Sequence, residues 1–213
     1  MRKIILTLST VLLLLAGCSK GQGDLTLNFT TKYNDSPLLL NHDYNINGDT
    51  ISFTTFKYYV SNLKIGAKTL EDVLLIDANN ATNSYHYTLL RNTYEGLSMG
   101  VGVNAVFNNL DPSSFETEHP LSLAQNNYWA MLDSYVFIKI EGYFTQDGIQ
   151  TPSAYHVSSN PYYRLYTSSK NIQVEKRNDK VVTITVDLNE VLQNVNLPTD
   201  NDTHTTNNPT LAT

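Results

Sequence analysis

The chain has 213 residues, carries 14 basic and 20 acidic side chains for a net charge of −6, and contains one cysteine. With 41% hydrophobic residues it is one domain's worth of sequence, long enough to bury a substantial core. The acidic balance excludes nucleic acid as a partner, since a phosphate backbone calls for a basic footprint, and a lone cysteine leaves packing or a metal to do the work of an internal disulfide.

The N-terminus opens with Arg2 and Lys3, continues through the 12-residue apolar run Ile4 to Leu15, and reaches Ala16-Gly17-Cys18. A charged start and an apolar run too short for a membrane span mark a secretory signal, and small residues leading into cysteine mark the lipoprotein form of it. Residues 1–17 are therefore expected to be a signal peptide, with Cys18 the lipidated first residue of a 196-residue mature chain. Without Arg2 and Lys3 that chain holds 12 basic against 20 acidic side chains, so the expected membrane contact is the lipid alone. The protein is placed in the bacterial cell envelope, periplasmic or surface-exposed.

Residues 18–23 lack apolar side chains after Cys18 and read as a flexible tether, and the folded domain is expected over 24–197. Its period is two. Leu25, Leu27 and Phe29 alternate with Thr26, Asn28 and Thr30, and similar runs recur at Ile51 to Ile65, Val73 to Asp77, Leu97 to Phe107, Tyr135 to Phe144, Ile172 to Lys176 and Val181 to Leu188. Arg177-Asn178-Asp179 reads as a hairpin turn joining the last two, with Val182, Ile184 and Val186 on one face. Asp187 is placed to cap a short helix from Leu188 to Gln193, with Glu190 closing a capping box, and Pro120 suits the start of another short turn. These patterns predict a one-domain all-β fold, an antiparallel sandwich or partly open barrel with one or two short helices. Residues 198–213 are polar and aperiodic, either a tail or the start of an element left unfinished.

Enzyme signatures are weak. Gly100-Val101-Gly102-Val103-Asn104-Ala105 sits in an apolar alternating run rather than at a strand-to-helix turn, so its glycines read as close packing or a bulge. The sequence has no nucleophile elbow, P-loop lysine or His-Glu-x-x-His motif, and Glu116 with Glu118 reads as a pair of solvated loop charges, so no enzyme activity is expected. The remaining chemistry lies in five histidines, His42, His86, His119, His156 and His204, and one tryptophan, Trp129. In the absence of a free thiol, imidazole is the best ligand here for copper, zinc or nickel. His42, in a polar turn, and His86, between Tyr85 and Tyr87, fit surface or turn positions. His119 precedes the segment leading to Trp129 and His156 follows the strand that leaves it, so these two are expected to meet at one end of a hairpin.

The runs Phe56-Lys57-Tyr58-Tyr59-Val60-Ser61-Asn62-Leu63, His119-Pro120-Leu121-Ser122, Asn127-Tyr128-Trp129 and Tyr135 to Gly142, followed by Tyr155-His156, resemble the MbnP-like family over roughly Asp24 to Leu192. The resemblance implies a β-rich, sandwich-like domain in a periplasmic or lipid-anchored copper-binding protein. It further implies copper held by histidines, for which His119 and His156 are the metal-ligand candidates. Beside them it implies kynurenine formed from a tryptophan by a partner di-haem oxidase, with Trp129 as precursor. The residues alone leave a second reading open, a non-enzymatic β-sandwich surface module whose loops and tyrosines bind a glycan or a protein.

Overall fold

The computed structural model describes residues 21–46, 48–80 and 82–211, so the signal segment and Cys18 lie outside the described residues. The described residues form strands β1 (Gln22–Tyr33), β2 (Ser36–Pro37), β3 (Asp43–Ile46), β4 (Asp49–Ile65), β5 (Lys68–Asp77), β6 (Ser84–Leu90), β7 (Asn92–Tyr94) and β8 (Leu97–Val101). They continue with β9 (Tyr128–Trp129), β10 (Ser134–Gln146), β11 (Ile149–Ser158), β12 (Arg164–Ser168), β13 (Ile172–Val174), β14 (Lys180–Asp187) and β15 (Asp202–His204). Two four-residue helices, α1 (Ala105–Asn108) and α2 (Leu188–Val191), complete an all-β domain.

A small sheet runs β14-β1-β2 with β6 also on β1. A larger one runs β12-β8-β4-β10-β11-β15, with β3 and β5 on β4 and β9 on β10. Leu25, Leu27 and Phe29 from β1 meet Phe56, Tyr58 and Ile140 from the large sheet in the main core between them.

The 17-residue β4 is the organising element, and it keeps one face in the core by changing parity twice. Ile51 and Phe53 point inward, then Phe56, Tyr58 and Val60, then Leu63 and Ile65. The first switch coincides with the register shift opposite Glu141 and Gly142 of β10. There the strands approach so closely that a Cβ on Gly142 would lie 1.9 Å from the Ser52 carbonyl oxygen. The second switch falls at Asn62, whose φ of 51° is left-handed and suits asparagine better than most residues. Between the switches Tyr59 is left facing outward. With Tyr135, Phe137, Val103 and Leu121 it builds a second apolar cluster on the outer face of the large sheet. That cluster holds down the 120–133 segment: the hydroxyls of Tyr59 and Tyr135 donate to the carbonyls of Pro120 and Leu121, and the Asn127 amide donates to the Val136 carbonyl.

Several local expectations are corrected. Val181 to Leu188 is not one arm of a hairpin. β14 lies parallel to β1 while β13 pairs with β7, and only a single Glu175–Asn178 bridge spans the expected turn. The run Leu97 to Phe107 ends as strand at Val101 and turns into α1, capped by Asn104, whose side-chain oxygen accepts from Val106 and Phe107. Gly100 is packed closely as expected, lying against the Tyr163 ring, where a Cβ would collide. Asp187 caps α2 as expected, though the helix stops at Val191; a turn does begin at Pro120, closed by the Ser122 amide donating to the His119 carbonyl, and Ser122 then caps a second turn at Leu123–Gln125. The polar stretch after Pro198 contributes β15, parallel to β11.

Candidate metal centre

The β10–β11 ladder sets one polar row on the outer face of the large sheet. Lys139 stands opposite His156, and Glu141, two residues further along β10, shares that face. The parallel pairing of β15 with β11 then sets His204 in register with His156. Trp129 arrives from the held-down segment, since β9 pairs Trp129 with Ser134 of β10.

Three rings therefore converge. The His156 and His204 centroids are 4.8 Å apart, Trp129 lies 5.0 Å from His204 and 6.3 Å from His156, and the planes meet at 86°, 60° and 81°. Each histidine has one nitrogen on a carboxylate: His156 Nε2 is 3.0 Å from Glu141 Oε1, and His204 Nδ1 is 3.1 Å from Asp202 Oδ1. Nδ1 of His204 lies within ion-pair range of Asp202, and since a carboxylate only accepts, Nε2 of His156 carries the proton it gives Glu141 while Nδ1 of that ring keeps a free lone pair when the ring is neutral. That is the usual arrangement of a metal-ligating histidine, whose second nitrogen is oriented by an acid. Metal–nitrogen bonds of ~2 Å put two imidazoles on one ion at centroid separations of about 5 Å, close to the spacing seen here.

Burial pushes the pKa of His156 below its ordinary value, and the neighbouring His204 pushes it the same way against the pull of Glu141. The ring is thus held neutral, the form that binds metal. Burial alone would raise the pKa of Glu141, but Lys139 and His156 outweigh it and keep the carboxyl ionised, below its usual range. Lys139 lies 3.4 Å from Glu141 and also donates to the Asn126 carbonyl, tying the polar row to the segment that carries Trp129.

Of the expected site residues, Trp129 and His156 come together. His119 has other company: its ring stacks on Phe115 at 4.2 Å and its Nδ1 accepts from the Leu121 amide, which fixes the turn into the Tyr59 cluster. Among the described residues the ring partner of His156 is His204, and no group of three or more His, Cys, Asp or Glu side chains stands ready to enclose an ion. His204 sits in a polar stretch without period, and the only sequence signal for it was its being one of five histidines.

No curated protein and no solved structure matches the chain. The family model described as MbnP matches residues 22–208, a span that runs from the first residue of β1 past His204, and the chain belongs to the MbnP family.

Proposed function

We propose that the protein is a lipid-anchored copper-binding protein of the bacterial cell envelope, a binding protein rather than an enzyme, that holds copper between His156 and His204 beside Trp129. The observation that carries this reading is the carboxylate-tethered histidine pair. Two imidazole rings with centroids 4.8 Å apart, each with one nitrogen about 3 Å from a carboxylate, match the donor chemistry copper favours. The 4.8 Å spacing fits a bent nitrogen–metal–nitrogen arrangement, which leaves room on the ion for a further ligand. Membership of the MbnP family supports copper as the metal. Trp129, 5.0 Å from His204, is in this reading the tryptophan that a di-haem oxidase partner would convert to kynurenine, adding an oxygen-bearing group near the metal.

Copper titration of variants tests the assignment. His156→Ala and His204→Ala should each weaken binding by several kcal/mol, because one imidazole cannot hold the ion alone, while His119→Ala and His86→Ala should bind as wild type. If both His156→Ala and His204→Ala keep wild-type affinity, the metal reading fails and a surface module for a glycan or protein replaces it. Intact mass spectrometry of protein from copper-supplemented cells reads the tryptophan separately: an unaltered Trp129 with copper bound removes the kynurenine step and leaves the histidine pair standing.

A further inference from the structure

The far side of the sandwich from the histidines has an open seam. Among the described residues β14 pairs with β1 alone and β12 pairs with β8 alone, so each presents an unpaired backbone edge. A cavity of about 490 Å³ lies between them. It borders all of Lys180 to Val186, seven consecutive residues with side chains on both faces of the strand. A cavity touching consecutive residues of a pleated strand follows the strand's edge rather than one of its faces. Its opposite wall is Leu97 and Met99 of β8 with Tyr166 of β12.

The core is incomplete along this seam. Across the parallel ladder, Leu27 and Phe29 are 0% and 3% exposed, yet their register partners Val182 and Ile184, which face the same core, are only half-buried. What is missing is as wide as a strand. Seven residues of extended chain, about 23 Å, would span the seam, cover Val182, Ile184 and Val186, and satisfy the free amides and carbonyls of β14 at once. A compact small molecule would not reach the length of that edge. The charge is one-sided: Lys170 and Lys180 border the cavity at the start of β14 and no acidic side chain lines it, in a chain whose net charge is −6.

We propose that this seam binds an extended segment of a partner polypeptide, added as a strand beside β14, with apolar side chains at alternate positions and acidic residues at the end next to Lys170 and Lys180. An unpaired edge over an uncovered apolar wall is the surface on which strand addition gains both ladder hydrogen bonds and burial, and the lysine pair sets the polarity of the segment.

The test uses the full-length protein with two synthetic peptides, Asp-Asp-Val-Thr-Ile-Thr-Val-Thr and Thr-Val-Thr-Ile-Thr-Val-Asp-Asp, and versions of both with Lys-Lys for Asp-Asp. One acidic peptide should bind saturably and slow amide exchange at residues 181–186, and the one that binds gives the strand direction. Lys170→Glu combined with Lys180→Glu, two exposed positions whose replacement leaves the core intact, should weaken it about tenfold and favour the matching lysine peptide. The proposal is overturned if neither acidic peptide slows exchange in β14 or if acidic and basic peptides bind equally. It is also overturned if β14 amides of the free protein already exchange as slowly as those of β1, meaning the protein's own chain fills the seam. Self-association through β14 without peptide would assign the seam to a second copy and overturn it as well.

Discussion

The proposed centre depends on what holds each imidazole as much as on the imidazoles themselves. Glu141 has one-third of its side chain exposed and Asp202 has 71%, so the two tethers are unequal. A shielded acid fixes the tautomer and direction of its histidine, whereas an exposed one competes with water. Glu141→Ala should therefore weaken copper binding by about 10- to 100-fold, and Asp202→Ala by much less, in competition titrations against a chelator. Equal affinities for Glu141→Ala and wild type would show that His156 is oriented by something other than the acid. At this scale the sequence was half legible. Trp129 and His156 flank the long β10–β11 hairpin, and a hairpin brings its neighbours together by local pairing. His204 reaches the same place only through a three-residue parallel strand, a contact between residues 48 positions apart that leaves no local period to read. His119 looked equivalent to His156 because both border the tryptophan segment. Its ring packing on Phe115 depends on the fold of the loop, which spacing does not encode.

Among the elements, β4 shows why the period-two reading found strands better than it found their boundaries or partners. Its inward residues change parity at two irregularities, so the alternation holds only in short stretches, and what marks the switches is the close approach at Gly142 and the left-handed Asn62 rather than hydrophobicity. The strand β14 carries a clean alternation, yet its partner was misjudged because an adjacent turn signal suggested a hairpin while apolar patterning is silent on direction. Its end was legible for a local reason. Asp187 accepts from the amides of Asn189 and Asn34 at 3.0 and 3.2 Å and pairs with Lys32 at 3.0 Å, closing β14, β1 and α2 onto one carboxylate. Burial opposes its charge, but Lys32 and the two amides outweigh burial and hold its pKa below the usual aspartate value of 3.8. A carboxyl lowered in the folded state contributes stability above its unfolded pKa and loses it as pH falls through the folded one. Asp187→Ala should thus cost about 1 kcal/mol at neutral pH, the usual worth of an N-cap, in urea unfolding. The gap between variant and wild type should close as the pH is taken below about 4. A gap unchanged at pH 3 would mean that the carboxylate's charge plays no part.

Three separate regions of the molecule carry the proposed functions: lipid attachment at Cys18, the histidine pair at the β11–β15 end of the large sheet, and the open seam beside β14. Among the described residues no helix is long and apolar enough to cross a membrane. If the chain is cleaved and acylated at Cys18 as proposed, its net charge is −8, which disfavours direct contact of the domain with anionic headgroups. Attachment should then rest on one residue. Cys18→Ala should leave the protein unprocessed or released, since no thiol remains to be acylated, and the affinity for copper should be unchanged, because the proposed site uses residues of β9, β10, β11 and β15. Membrane fractionation with intact mass measurement reads the first effect and copper titration of the purified variant reads the second, since those four strands are all distant in sequence from Cys18. A processed Cys18→Ala protein that still sediments firmly with membranes would show that the domain itself, not the lipid, makes the contact.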